Sequence, residues 1–340
     1  MKILVTGGAG FVGSHFVRKL LHPAVKQDDC YHVTVLDKLT YSGNMSNLEP
    51  VRRSARLSFV HGDISDAGLV NEVVPGHDAI INFAAESHVD RSIENARVFT
   101  VTNVLGTQVL LEAALRYQVE PFIQVSTDEV YGSVPSGWTD ESAPLRPTSP
   151  YAASKAAADL TALSYYRTHG MDARISRCSN TYGPYQFPEK IIPLFVTQLL
   201  DGGVLPLYGD GLNVRQWIHV DDHCLAIKLI LANGRAGEIY NIGGTALTNL
   251  DLARFLIDAL GADQSVITYV ADRKGHDRRY AVDQSKIMDE LGFFPGYDLF
   301  TGLSETVAWY RENSAWWRPL RSRPGQLIAA PGPGPRAGYA

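Results

Sequence analysis

Short apolar runs alternate along the first half of the chain with stretches whose apolar positions recur at helical spacing. That alternation is the mark of parallel βαβ construction, in which each strand is buried on both faces and followed by a helix. Strands are predicted at Lys2–Thr6, His32–Leu36, Leu57–Val60, Ala79–Phe83, Phe122–Ser126 and Ala173–Cys178. Helices at Phe11–Leu21, Val98–Tyr117 and Tyr151–Thr168 fill most of the gaps. Within Val98–Tyr117, Val101, Leu105 and Val109 repeat at helical spacing, and Val104 and Leu111 widen the stripe. After about Gly183 the regularity weakens, with helices expected at Asp221–Ala232, Leu250–Leu260 and Asp283–Leu291 among short strands. The expected division is a first lobe over residues 1–182, to which a later strand and helix return, and a smaller mixed α/β lobe over residues 183–322. From about Arg323 the chain is rich in Pro and Gly and is expected to be disordered.

Composition narrows the function classes. A length of 340 residues suits two domains, and 45% hydrophobic residues are enough for a substantial core. A net charge of −5 argues against a broad surface for nucleic acid or for an anionic membrane, so an anionic substrate must be met by a local basic cluster. No run approaches about 18 uninterrupted apolar residues, so no membrane span is expected. The start, MKILVTGGAG, enters a strand at once and lacks the layout of a signal peptide. Cys30, Cys178 and Cys224 have neither metal nor redox spacing and are expected to be core thiols in a reducing cytoplasm.

The first strand runs into Gly7-Gly8-Ala9-Gly10-Phe11-Val12-Gly13, which opens a helix. Glycines at 7, 10 and 13 let the backbone turn tightly and approach a pyrophosphate seated on the helix N-terminus. Asp37 ends the next strand, where a carboxylate bonds a ribose 2′-hydroxyl and repels a 2′-phosphate. The reading is a Rossmann-type doubly wound α/β fold that binds NAD rather than NADP, with Asp63-Ile64 at the adenine edge.

Thr127, Asp128 and Glu129 follow the strand Phe122–Ser126, at the carboxyl end of the sheet where open α/β sheets bind ligands. Consecutive strand residues point to opposite faces, so both carboxyls can serve one ligand only if the chain is already turning there. By itself such a pair is equally a solvated pair or a helix cap. Tyr151 and Lys155 lie four apart and share a helix face. A phenol of pKa about 10 needs roughly 4 kcal/mol of help to act as a base near neutrality. A nearby ammonium and an oxidised nicotinamide are expected to lower it. An acid and a base beside this pair exceed what alcohol oxidation requires and suggest a coupled elimination.

With these residues in hand, the chain resembles the extended short-chain dehydrogenase/reductases, and among them the family of dTDP-glucose 4,6-dehydratases. The likeness runs from Lys2 to about Trp317 through GGAGFVGS, DKLTYSGN, HGDISD, AAESHVDRS, STDEVYG, PYAASKA, YGPYQFPEK, YGDG and DRKGHDRRYA. The resemblance implies that Tyr151 takes the C4 hydroxyl proton of a nucleotide-linked glucose as hydride passes from C4 to NAD. Thr127 then bonds the C4 oxygen, Glu129 removes the acidified C5 proton, and Asp128 protonates the departing C6 hydroxyl; hydride returns to C6. It also implies cofactor contacts from Lys38, Leu39, Thr40, Phe83, Ala84, Ala85, Glu86, Thr102 and Thr181, together with Tyr151 and Lys155. Sugar-nucleotide contacts are implied for Ser87, Thr127, Asn180, Lys190, Ile191, Pro206, Leu207, Tyr208, Arg215, Asn249, Asp272, Arg273 and His276. Lys190, Arg215, Arg273 and His276 would supply the cationic patch for a pyrophosphate. Tyr280 is equally a core residue or a site residue. Family likeness further implies a homodimer built on the helices Val98–Tyr117 and Tyr151–Thr168.

Four other readings share parts of this pattern. One is a 4,6-dehydratase of UDP-glucose, which the catalytic residues cannot distinguish. A C4 epimerase and a UDP-glucuronate decarboxylase both lack a use for Asp128. A non-catalytic NAD-binding regulator would need no intact Tyr/Lys and Asp/Glu set. One departure stands out: the family's Asn-Asn before Tyr-Gly-Pro is Asn180-Thr181 here, and a hydroxyl replaces the amide's paired donor and acceptor. Weaker NAD retention is therefore expected. Thr181→Asn should carry more NAD through purification than the wild type, and equal retention would refute this.

Overall fold

Seven parallel strands form the central sheet of the computed structural model, which describes residues 1–22 and 31–321. They are β1 (Lys2–Thr6), β2 (His32–Asp37), β3 (Leu57–His61), β4 (Ala79–Asn82), β5 (Phe122–Thr127), β6 (Ala173–Cys178) and, entering much later, β10 (Ile239–Ile242). Their order is β10-β6-β5-β4-β1-β2-β3. All six predicted strands are present, several one residue longer or shorter at the carboxyl end. Cys30 and the tail from Arg323 lie outside the described residues.

Helices cover both faces of the sheet, and outside the edge strand β3 most strand positions are buried, polar ones such as Asn82, Gln124 and Arg177 included. On one face Phe16, Val17 and Leu20 of the helix Phe11–Leu21 pack with Ile227 and Ile230 of the helix Val220–Asn233. On the other, Leu110, Leu111 and Ala114 meet Ala162 and Leu163 of the helix Pro150–His169. Asp159 on that helix is fully buried and is paired with Arg177 of β6 at 2.9 Å; Arg177 also donates to the Tyr131 hydroxyl at 2.8 Å. This ion pair ties the helix that carries Tyr151 to the sheet that carries Asp128.

The helix expected at Val98–Tyr117 differs in register. It begins at Ala96, winds as a π-helix through Thr100–Leu105 and continues as an α-helix over Gly106–Tyr117. The wider turn rotates the later residues, so Leu105 is 45% exposed instead of joining Val109 in the core. The run Ala96–Tyr117 is long and apolar enough to cross a bilayer by length and composition, yet half of it is buried inside the fold. The helix expected at Asp283–Leu291 starts at Ser285, because the Asp283 carboxylate accepts the Ser285 N–H at 2.8 Å and ends the preceding turn.

Past β6 all the strands but β9 (Val214–His219) are shorter. β7 (Asn180–Tyr182), β9 and β11 (Thr245–Thr248) form one small sheet, and β8 (Leu205–Tyr208) pairs with β12 (Ile267–Val270). Their core is a separate cluster that includes Phe195, Leu207, Leu256, Leu303 and Trp317. The strand order reverses between β1 and β4, so the loops after those strands diverge and leave a crevice at the carboxyl edge.

Candidate active site

The crevice begins at the glycine turn. Gly7 has a φ of +66°, and a Cβ there would lie 2.6 Å from the Ala84 nitrogen; one on Gly13 would lie 2.4 Å from the Gly7 carbonyl oxygen. Only hydrogen fits at these two positions. Gly7, Gly10, Phe11, Val12, Gly13, Phe83 and Ala85 line the cleft beside Thr127, Asp128, Glu129, Tyr151, Lys155 and Thr181. A recess continuous with it is lined by Asp37, Lys38, Thr40, Asp63, Ile64, Ala84, Glu86 and Thr102. Asp37 accepts the Ala9 and Leu39 N–H groups, each at 2.8 Å, and burial pushes its carboxyl up. Asp63 is both a cap for the Ser65 N–H at 2.9 Å and a partner of Lys38 at 2.6 Å. Leu39 does not line the recess. With φ of +52° its side chain packs into the core beneath, and only its N–H serves the site by holding Asp37. Asn103, in the π-turn, brackets Glu86 through its N–H at 2.9 Å and its carbonyl at 3.0 Å, and donates to Ser154 at 2.8 Å. A cradle without side chains and a carboxylate at the end of β2 fit a dinucleotide without a 2′-phosphate.

At the end of β5 the chain does turn. Thr127 caps a 3-10 turn over Asp128–Tyr131, its hydroxyl accepting the Glu129 N–H at 3.3 Å. Asp128 is 2% exposed, and its Oδ2 has no hydrogen-bond partner among the described residues. Burial, and then the neighbouring Glu129, push its carboxyl up to about 8. Glu129 is also raised by burial, but Arg273, Arg215 and Lys190 pull it back toward ionisation. Of this coupled pair, Asp128 is therefore the member held protonated.

Tyr151 and Lys155 share the inner face of the helix Pro150–His169, whose start is fixed by Ser149 accepting the Ala152 N–H at 3.1 Å. The expectation that Lys155 lowers the Tyr151 phenol is corrected here. Burial and the Glu129 charge raise the phenol, while a hydrogen bond with Thr127 opposes them. The Lys155 ammonium instead donates to the Val125 carbonyl at 2.6 Å, and burial lowers it to about 8 against the pull of Asp159.

A third cavity opens from the reacting centre and shares Ser87, Glu129, Asn180 and Lys190 with the first. Ile191, Pro206, Leu207, Tyr208, Arg215, Asn249, Arg273 and His276 line it. Burial, and then Arg273, lower the His276 imidazole, so the cationic patch consists of Lys190, Arg215 and Arg273 with His276 as a neutral partner. Asp272 does not line the cavity; it stands outside and holds His276 Nδ1 at 2.6 Å. Tyr280 belongs to the site as well as the core: its hydroxyl reaches Asp277 at 2.9 Å and Glu129 at 3.4 Å. Sequence reasoning missed Tyr41, Arg91 and Glu189. Tyr41 donates to Glu189 at 2.9 Å, and Arg91 stands 4.1 Å over the Tyr41 ring and 3.4 Å from Glu189. Tyr41 and Glu189 sit inside DKLTYSGN and YGPYQFPEK, which was the available signal. His223, also missed, lines the cofactor cleft and meets the Thr181 hydroxyl at 2.9 Å.

The fold and the site define a dinucleotide-binding protein of the extended short-chain dehydrogenase/reductase class, acting on a nucleotide-linked sugar. The chain belongs to the GDP-mannose 4,6 dehydratase family, whose sequence profile matches residues 4–306. It is 56% identical over 333 residues to a dTDP-glucose 4,6-dehydratase of Streptomyces niveus, covering 98% of this chain and 99% of that one. Among solved structures it resembles the dTDP-glucose 4,6-dehydratase DesIV of Streptomyces venezuelae, determined with NAD bound. The identity is 62% and the TM-score 0.91, covering 94% of this chain and all of that one (100%). A dTDP-glucose 4,6-dehydratase of Bacillus anthracis, also in complex with NAD, is 48% identical with a TM-score of 0.87, covering 94% of this chain and 99% of that one.

A raised carboxyl has a consequence for stability. The folded protein keeps a proton on Asp128 that the unfolded chain loses at about pH 4. Stability therefore falls as pH rises from there to about 8. In Asp128→Asn that part of the slope should vanish. Urea midpoints of both proteins across this range should converge at low pH and diverge in favour of the variant at high pH; parallel curves would contradict the assignment.

Proposed function

We propose that this protein converts dTDP-glucose to dTDP-4-keto-6-deoxyglucose and water, with NAD restored in every cycle. The observation that carries this reading is a buried Asp128 held protonated beside a Glu129 that faces three cations. Relatives of that activity align with nearly the whole chain, and two of the solved ones hold NAD. Gly7, Gly10, Gly13, Asp37 and Thr102 would hold the cofactor, which when bound takes hydride from C4 and gives it back at C6.

Tyr151 removes the C4 hydroxyl proton, its phenolate favoured by the Thr127 hydrogen bond and by the positive charge that an oxidised nicotinamide would supply, with Thr127 bonding the same substrate oxygen. The ketone so formed acidifies the C5 proton, which Glu129 then takes as base. Asp128 transfers its proton to the C6 oxygen, which leaves as water while the C5–C6 double bond forms. Glu129 later returns a proton to C5. Lys155 fixes the floor of the site through the Val125 carbonyl. Lys190, Arg215 and Arg273 bind the pyrophosphate, and Asn180, Asn249 and the segment Pro206–Tyr208 hold the sugar nucleotide.

The same geometry could be asked of UDP-glucose, and epimerisation or decarboxylation would leave Asp128 unused. Long helices with exposed Leu105 (45%) and Leu160 (55%) favour a homodimer paired along Ala96–Tyr117 and Pro150–His169. Sedimentation should give twice 37.3 kDa, and a single-chain mass at micromolar concentration would contradict the pairing. Buried, unpaired Cys178 and Cys224 suit the cytoplasm as its compartment, which a secreted fraction would contradict.

Incubation with dTDP-glucose, and separately with UDP-glucose, followed by mass spectrometry, tests the activity. Loss of one water from dTDP-glucose with only catalytic NAD is expected. An isomer of unchanged mass would mean epimerisation, faster turnover of UDP-glucose would reassign the nucleotide, and no turnover of either would favour a regulator. Asp128→Asn should slow elimination by about 10²–10⁴-fold while C4 oxidation continues, so enzyme-bound NADH should accumulate.

A further inference from the structure

We propose that Tyr280, Asp277 and Thr148 form a proton relay connecting Glu129, at the reacting centre, with solvent. Glu129 Oε2 lies 3.4 Å from the Tyr280 hydroxyl. That hydroxyl lies 2.9 Å from Asp277 Oδ2, and the same carboxylate oxygen accepts the Thr148 hydroxyl at 2.6 Å. Tyr280 and Asp277 are buried, at 3% and 5% exposure, whereas Thr148 is exposed. Three contacts thus lead from the base to the surface. The relay rests on the dehydration proposed above, because it handles the proton that Glu129 takes from C5.

The links are held in place from several elements. The Arg215 guanidinium stands 4.1 Å over the Tyr280 ring and donates to the Asp277 carbonyl at 2.9 Å. The Tyr280 N–H donates to the Val214 carbonyl of β9 at 3.2 Å. Gly275, with φ of +63°, lies so close to Thr148 that a Cβ would sit 2.9 Å from the Thr148 carbonyl oxygen. The loop that shapes the nucleotide cavity therefore also packs against the backbone at the outer end of the relay.

A phenol both donates and accepts, so one concerted pass needs no free phenolate. Protonated Glu129 donates to the phenol oxygen as the phenol proton moves to the Asp277 carboxylate. One O–H bond breaks and one forms at the phenol, and the negative charge moves from Asp277 to Glu129. Asp277 then exchanges its proton with water by way of the Thr148 hydroxyl, and the reverse pass returns a solvent proton to Glu129. Concert matters because burial and the Glu129 and Asp277 charges raise the Tyr280 phenol. The cations facing Glu129 offer no such path: the Arg215 and Arg273 guanidinium groups have donors but no acceptor, and Lys190 is tied to the Ser87 carbonyl at 2.8 Å.

Turnover in deuterium oxide tests the relay, read by mass and by the position of the label. The wild-type product should carry deuterium at C5. Tyr280→Phe and Asp277→Asn should still transfer hydride from C4 to C6, followed with C4-deuterated substrate in ordinary water, yet lose most of the C5 label from solvent because Glu129 hands back the proton it removed. Thr148→Val should lose part of it. C5 labelling as full as the wild type in the first two variants, or an unlabelled wild-type product, would overturn the relay. A dehydrated mass from the wild type reports the underlying activity separately, so the two failures are distinguishable.

Discussion

Two carboxyl groups sit side by side at the buried end of β5, and the low dielectric there does not permit both to ionise as ordinary carboxylates. The conflict is resolved by surroundings. Asp128 faces inward, with an oxygen that finds no partner among the described residues, and keeps its proton; Glu129 faces Arg215, Arg273 and Lys190, which favour its charge. An acid and a base of the same chemical type are thus separated by environment alone. The turn capped by Thr127 is what lets consecutive residues serve one ligand, and the Asp159–Arg177 pair beneath keeps the tyrosine helix in register with them.

The rest of the molecule delivers two ligands to that point. Reversal of strand order between β1 and β4 opens the dinucleotide crevice, and the small sheets built on β7, β8 and β9 wall the nucleotide cavity. Both cavities share Glu129 and Lys190, so a cofactor in the first and a sugar nucleotide in the other would meet at the acidic pair. The Tyr41–Glu189–Arg91 contacts cross between the two walls and join the loop after β2 to the segment before the helix Ile191–Leu200.

Much of this was legible in the sequence because its signals are local. Strand runs buried on both faces, the glycine turn and the Tyr151/Lys155 spacing each depend on residues near one another in the chain. The departures arise where geometry is not local. A π-turn breaks the 3.6-residue count, so the stripe through Leu105 could not be read correctly from spacing. Leu39 and Asp272 fall within matched motifs, yet backbone direction turns their side chains away from the cavities. Tyr41, Glu189 and His223 act through contacts far apart in sequence, which no periodicity encodes. The tuning of Tyr151 also depended on where Lys155 points, and that is set by the Val125 carbonyl across the sheet.

The central claim is that adjacent carboxyls carry opposite protonation states before reaction begins. Isotope-edited infrared titration, with the aspartate carboxyl band assigned by its loss in Asp128→Asn, measures this directly. The account predicts a protonated Asp128 carboxyl at neutral pH that titrates near 8, beside an ionised Glu129. An ionised Asp128 at neutral pH, with the proton on Glu129, would contradict it.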